Sequence, residues 1–132
     1  MKLSKKVKYE DDADEFNIIF DGAEKEMKAF EFELCARELC ESICYEEIKE
    51  NDFAELKEKL SEKDFKKLRK AAGIEGKSLG DFTFYKTRDG LSAYYVIRSQ
   101  AENDKELLLC FGCGEVQPMR YVITLEAIYE LE

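Results

Sequence analysis

Met119-Arg120-Tyr121-Val122-Ile123-Thr124-Leu125-Glu126-Ala127-Ile128-Tyr129-Glu130-Leu131 is the stretch on which the fold turns. Every second residue from Met119 to Leu131 is apolar, and those between are mostly polar. Successive side chains of an extended chain point to opposite faces, so this pattern predicts a long half-buried strand. Residues 105–111 are expected as another strand before it. Further back, Asp89-Gly90 is a two-residue hairpin signal between two more aromatic-rich runs. A turn there sets Phe84 opposite Tyr95, Phe82 opposite Ile97 and Tyr85 opposite Tyr94. The expectation is an antiparallel sheet of four or more strands.

Before Gly80 the period changes to the helical one. Ser61, followed by Asp64 at the third position, predicts a helix that Gly73 stops. Its inner face is Phe65, Leu68 and Ala72, and its outer face is Lys63, Lys66, Lys67 and Lys70. Asn51 or Asp52 caps a shorter helix reaching Leu60. Residues 21–50 are rich in Glu, Lys, Ala, Leu and Met, which favours one long helix with Asp21 and Glu24 as a capping box. On that helix Phe32, Cys35, Ala36, Leu39, Cys40, Ile43 and Cys44 share a face, while Met27, Phe30 and Leu34 point about half a turn away. The alternation Phe30-Glu31-Phe32-Glu33-Leu34 would also suit a strand. Leu3, Val7 and Tyr9 at period two, then residues 16–20, predict two short strands that extend the sheet or fold over it as a flap. The expected fold class is α+β in a single domain, residues 1–132. One long and two short helices would form a layer on one face of the sheet.

Composition narrows the function. The 132 residues include no histidine, which removes imidazole bases, Ser-His and Cys-His nucleophiles and histidine-ligated metals. Charged residues make up 39% and apolar ones 45%, the balance of a folded, highly charged chain rather than a disordered one. The net charge of −9 is unevenly spread: residues 1–8 carry +4, 9–52 carry −12, 53–77 carry +3 and 78–132 carry −4. An acidic chain is repelled by nucleic acid and anionic membranes and attracted to basic proteins. The start has basic residues but no apolar run behind them, and no stretch is long and apolar enough to span a bilayer. Five cysteines, an odd number and clustered, do not resemble a secreted disulfide framework, so the expected compartment is the cytoplasm.

Cys110-Phe111-Gly112-Cys113-Gly114 is the sharpest motif and resembles half of a zinc-ribbon knuckle. Cys40 and Cys44, one helical turn apart on the expected long helix, would supply the other two ligands. A redox role fits less well, because no helix follows the motif to lower a thiol pKa. Gly76-Lys77-Ser78 lacks both the earlier glycine and the strand-before, helix-after setting of a phosphate loop. The acidic run of residues 10–15 lacks the glycine and final glutamate of a calcium loop. With Phe82, Phe84, Tyr95 and Ile97 under the helices, Tyr85 and Tyr94 would lie on the open face as protein-binding anchors.

These observations favour a small acidic cytoplasmic module, not an enzyme and without a cofactor, that occupies the basic surface of a protein partner. A nucleic-acid-binding protein is one such partner. Glu46, Glu47 and Glu50 would steer the association, and Tyr85 and Tyr94 would anchor it. In size and charge the chain is similar to immunity proteins and to phage or mobile-element inhibitors. The alternative is a zinc-stabilised adaptor or regulator built on Cys40, Cys44, Cys110 and Cys113.

Overall fold

The computed structural model describes residues 1–8, 16–36, 39–98 and 106–132. Of these, 59% are strand and 25% helix, so the sheet carries more of the architecture than expected and the helical layer less. In chain order the elements are β1 (Leu3–Val7), β2 (Phe16–Asp21), α1 (Glu24–Lys28), β3 (Glu31–Ala36), β4 (Leu39–Cys44) and α2 (Tyr45–Glu50). A 3-10 turn (Phe53–Glu55) then leads into α3 (Leu56–Lys59), α4 (Glu62–Ala72), β5 (Glu75–Leu79), β6 (Phe82–Thr87), β7 (Gly90–Arg98), β8 (Glu106–Gln117) and β9 (Arg120–Leu131).

The main sheet is antiparallel with strand order β1-β9-β8-β7-β6-β5, and β2 pairs with β9 ahead of β1. The two N-terminal strands therefore extend the sheet along the outer edge of β9. Tyr9 and the acidic run of residues 10–15 lie outside the described residues. The β3–β4 hairpin covers one face of the sheet, with Phe32, Leu34 and Ile43 packed on Ile97, Leu109, Phe111, Ile123 and Leu125. The 3-10 turn, α3 and α4 cover the other face, with Phe53, Leu56, Phe65 and Leu68 packed on Tyr85, Tyr94, Leu108 and Tyr129. The result is three layers, with a core on each side of the sheet.

The long helix expected over 21–50 is the main correction. Its centre is the β3–β4 hairpin, flanked by two single-turn helices. A helix would have set Phe32 and Leu34 on opposite faces. As a strand, β3 buries Phe32, Leu34 and Ala36 together and exposes Glu31 and Glu33. The alternation outweighs the helix-forming composition because it lets one segment bury all its large apolar groups at once. Asp21 consequently ends β2 rather than capping a helix, and its carboxylate accepts two hydrogen bonds from Arg120 at 2.6 and 3.2 Å.

The second helical stretch follows its sequence signals. Asp52 caps the 3-10 turn by accepting from Ala54 N at 3.0 Å, Ser61 Oγ accepts from Asp64 N at 3.1 Å, and α4 ends at a left-handed Gly73. β5 has no counterpart among the expected elements: residues 75–79 form an edge strand paired with β6.

Two irregularities reverse expectations about which face a residue occupies. In β9 the pairing shifts between Phe111–Leu125 and Cys110–Ala127, which makes Glu126 the extra residue of a β-bulge. Ile123 and Leu125 therefore join the hairpin-side core, while Ala127 and Tyr129 join the helix-side core. The unbroken alternation in the sequence thus serves two opposite faces. A register shift in β1 likewise sends Leu3 to the helix side and Val7 to the hairpin side, not to one side as expected.

The β6–β7 turn is also one position off, which moves the strand pairing by two residues. Lys86 lies opposite Leu91 and Thr87 opposite Gly90, so the loop is Arg88-Asp89. Thr87 Oγ1 accepts from Asp89 N at 3.2 Å and fixes the turn at that place. After these two pairs β6 leaves β7 and continues beside β5.

Candidate functional site

Glu46, Glu47 and Glu50 are exposed on α2, the short helix that follows the hairpin. Ile48, between them, is fully buried and ties the helix to the hairpin-side core. Glu47 also closes a capping box, accepting from Cys44 N at 3.5 Å. Below α2, the Tyr95 hydroxyl reaches Glu41 and Glu47, each at 3.4 Å. Burial, then the two nearby carboxylates, pushes that phenol up to about 12, so it stays a neutral donor. Glu24, Glu26, Glu31 and Glu33 are exposed on α1 and β3. Residues 24–50 hold nine acids and four bases, and one outer layer of the molecule is therefore acidic.

Tyr85 and Tyr94 do not stand on an open face. They are 6% and 4% exposed, beneath the helical layer, because the faces of β6 and β7 are reversed from the expected ones. Tyr85 packs edge-on against Phe53 and Phe65, with ring centroids 5.5 Å away in each case. The Tyr94 hydroxyl donates to Glu55 Oε2 at 2.8 Å and accepts from Lys59 Nζ at 2.9 Å. Both are core residues, and their expected role as exposed anchors is withdrawn. The apolar side chains left outside include Leu79, Phe82 and Leu91.

The four cysteines proposed as zinc ligands do not converge. Cys40 lies directly opposite Cys35 in the hairpin and is disulfide-bonded to it. The Cys44 thiol donates to Lys28 O at 3.3 Å. Cys110 faces the helix-side core and Cys113 the hairpin side. Burial pushes both thiols up, Cys113 to about 12, with the charge of Glu126 adding to the rise. Metal ligation needs thiolates, so these surroundings oppose it. Among the described residues, one group of three potential ligands comes together, Glu33, Cys35 and Cys40, and two of them are joined by the disulfide.

The glycines of the 110–114 motif serve packing instead. The β6–β7 turn lies directly on β8, and a Cβ on Gly114 would come within 2.6 Å of Asp89 O. Gly90, at φ +136°, touches the Cys113 carbonyl where any side chain would clash. Under this turn the β9 bulge presents Glu126. Its Oε1 accepts from Thr87 Oγ1 at 3.1 Å, and its carboxyl shares a hydrogen bond with that of Asp89. Burial, then Asp89, pushes Glu126 up to about 7, against the Thr87 hydroxyl and Arg88, which lower it. A Cβ on Gly112 would fall 2.8 Å from Glu126 Oε1. This cluster borders a cavity of about 650 Å³ between the end of α4, β5 and the turn.

Sequence reasoning missed this cluster because Glu126 occupies an ordinary outward position in the alternation. The available signal was the pair Gly112 and Gly114 inside a strand, which marks close backbone approach. No family model matches the chain, and neither a curated protein nor a solved structure shows significant similarity to it.

Proposed function

We propose that the protein is a small cytoplasmic binding module that seats its acidic hairpin layer on a basic surface of a protein partner. In this reading it is an inhibitor or immunity-type protein that works by occupying a surface and catalyses nothing itself. A partner whose basic surface normally receives nucleic acid would be blocked directly. The module itself would bind neither nucleic acid nor membrane.

One observation carries the reading: the acidic layer on α1, β3–β4 and α2 stands apart from the basic one. Residues 56–72, which supply α3 and α4, hold seven bases and three acids. The two sets of elements cover opposite faces of the sheet. At separations near a Debye length of about 8–10 Å, an approaching protein senses such a patch rather than the net charge. Among the described residues, no helix is long and apolar enough to cross a membrane. In a reducing cytoplasm Cys35 and Cys40 would be thiols, and the hairpin would rest on its ladder and its buried side chains.

Affinity capture with the immobilised protein tests the proposal, beside a variant carrying Glu46→Lys, Glu47→Lys and Glu50→Lys. The expected result is a basic partner retained by the native protein, eluted by moderate salt and lost by the variant. Equal capture by both proteins would place the binding surface elsewhere.

A further inference from the structure

The cavity beside Glu126 lies outside the acidic layer and has its own chemistry. Its walls include Lys70 and the last turn of α4, Glu75 and Lys77 of β5, Lys86 and Thr87 of β6, the Arg88-Asp89 turn, and Glu126. Each of its three carboxyl groups already has a partner. Lys77 Nζ lies 3.4 Å from Glu75, Arg88 Nε lies 3.9 Å from Asp89, and Glu126 is held by Thr87 and Asp89. Lys70 and Lys86 have no ion-pair partner among the described residues. A cavity of about 650 Å³ falls within the range that encloses small ligands. A cationic ligand would have to break existing pairs, whereas an anion would meet two unpaired ammonium groups.

We propose that this cavity is a second binding site, for a small doubly charged oxyanion of the phosphate-ester or dicarboxylate kind. Lys70 and Lys86 would hold it, and Glu126, neutral while its one proton is shared with Asp89, would set no charge against it. The surroundings of Glu126 favour that neutral form. Asp89 and Arg88 face it from the turn, Cys110 and Cys113 approach from β8, and Lys6 and Lys8 border a smaller cavity on its far side. With burial dominant, the group keeps its proton up to about pH 7. Binding therefore weakens once Glu126 ionises, and an anion bound above that pH takes up one proton.

The probes are sulfate, for the phosphate class, and tartrate, for the dicarboxylates; both stay doubly charged from about pH 6 to about pH 8, where Glu126 titrates. Amide shifts of the full chain are followed in ¹H–¹⁵N spectra at constant ionic strength, with chloride as the control. Saturable shifts centred on Lys70, Gly73, Thr87 and Gly112 are expected with one probe or both, and the stronger probe identifies the class. Affinity should fall about tenfold between about pH 6 and about pH 8. Glu126→Gln, which removes the titration but keeps the shape, should abolish that fall. Lys70→Glu with Lys86→Glu, both at non-core positions, should weaken binding by more than about tenfold while leaving the remaining spectrum folded. The proposal is overturned if neither probe gives saturable shifts. It is equally overturned if the shifts follow Lys63, Lys66 and Lys67 on the outer face of α4, or if the double lysine variant binds as before.

Discussion

The hairpin layer and the helical layer cover opposite faces of the same sheet by similar means and differ in almost everything else. Each presents a continuous apolar surface inward, anchored by Phe32, Leu34 and Ile43 on one side and by Phe53, Leu56 and Leu68 on the other. Outward, residues 24–50 carry a net −5 and residues 56–72 a net +4. Burial explains the fold and is indifferent to this contrast. The outer charges are free to vary without affecting the core, and in the proposed function their segregation sets the binding preference.

The largest effects test whether the two cores are one cooperative unit. Phe53→Ala on the helix side and Phe111→Ala on the hairpin side should each cost about 3–5 kcal/mol, since both rings are fully buried. Because β7, β8 and β9 contribute to both cores, each variant should unfold in a single transition with an unchanged denaturant slope. Two separated transitions in either variant would split the layers into independent units.

Next comes the place where the β6–β7 turn is pressed onto β8. Gly90→Ala should cost about 2–3 kcal/mol, because its φ disfavours a side chain and the Cβ would strike the Cys113 carbonyl. A chemical-denaturation curve unchanged from the native one would mean that the turn is not held in this way.

A smaller effect depends on pH. The folded-state pKa of Glu126 is raised from about 4.5 to about 7, so the folded protein holds a proton that the unfolded chain releases. This group's contribution is therefore complete below about pH 4.5 and is lost as pH rises through about 7. The loss is on the order of 1–2 kcal/mol once its partial exposure is discounted. Glu126→Gln should remove that decline, which thermal melts at several pH values would reveal as a flatter profile between about pH 5 and about pH 8.

How much of this was legible beforehand differs by layer. The helical layer was readable because Asp52, Ser61 and Gly73 are local signals whose meaning does not depend on distant contacts. The hairpin layer was hidden by composition: Glu, Lys, Ala and Leu favour a helix locally, and what overrides them is the sheet surface that Phe32 and Leu34 cover. Glu126 was hidden for another reason. A bulge leaves no mark on a perfectly alternating strand, so the switch of faces at 126 becomes visible only from the pairing with β8. The expected surface tyrosines are core residues because the sheet is covered on both faces: the helices lie on the side of Tyr85 and Tyr94, and the hairpin on the side of Tyr95 and Ile97. Cys110-Phe111-Gly112-Cys113-Gly114 was correctly marked as unusual and wrongly explained, since its glycines admit a turn rather than a metal.

The smallest expected change in stability goes with the central claim about function. Reversing Glu46, Glu47 and Glu50 to lysine should shift stability by no more than about 0.5 kcal/mol at the exposed Glu46 and Glu50, and by about 0.5–1 kcal/mol at Glu47, which loses the bonds it accepts from Cys44 N and Tyr95. The decisive measurement is the association rate with the captured partner as salt is varied, for the native protein, this variant, and a second one with Lys63→Glu, Lys66→Glu and Lys67→Glu on α4. An acidic docking face predicts slower association and a flatter salt dependence for the glutamate reversals, with native or faster rates for the lysine reversals. The opposite pattern, with the glutamate reversals harmless and the lysine reversals slowing association, would contradict it and move the binding face to the helical layer.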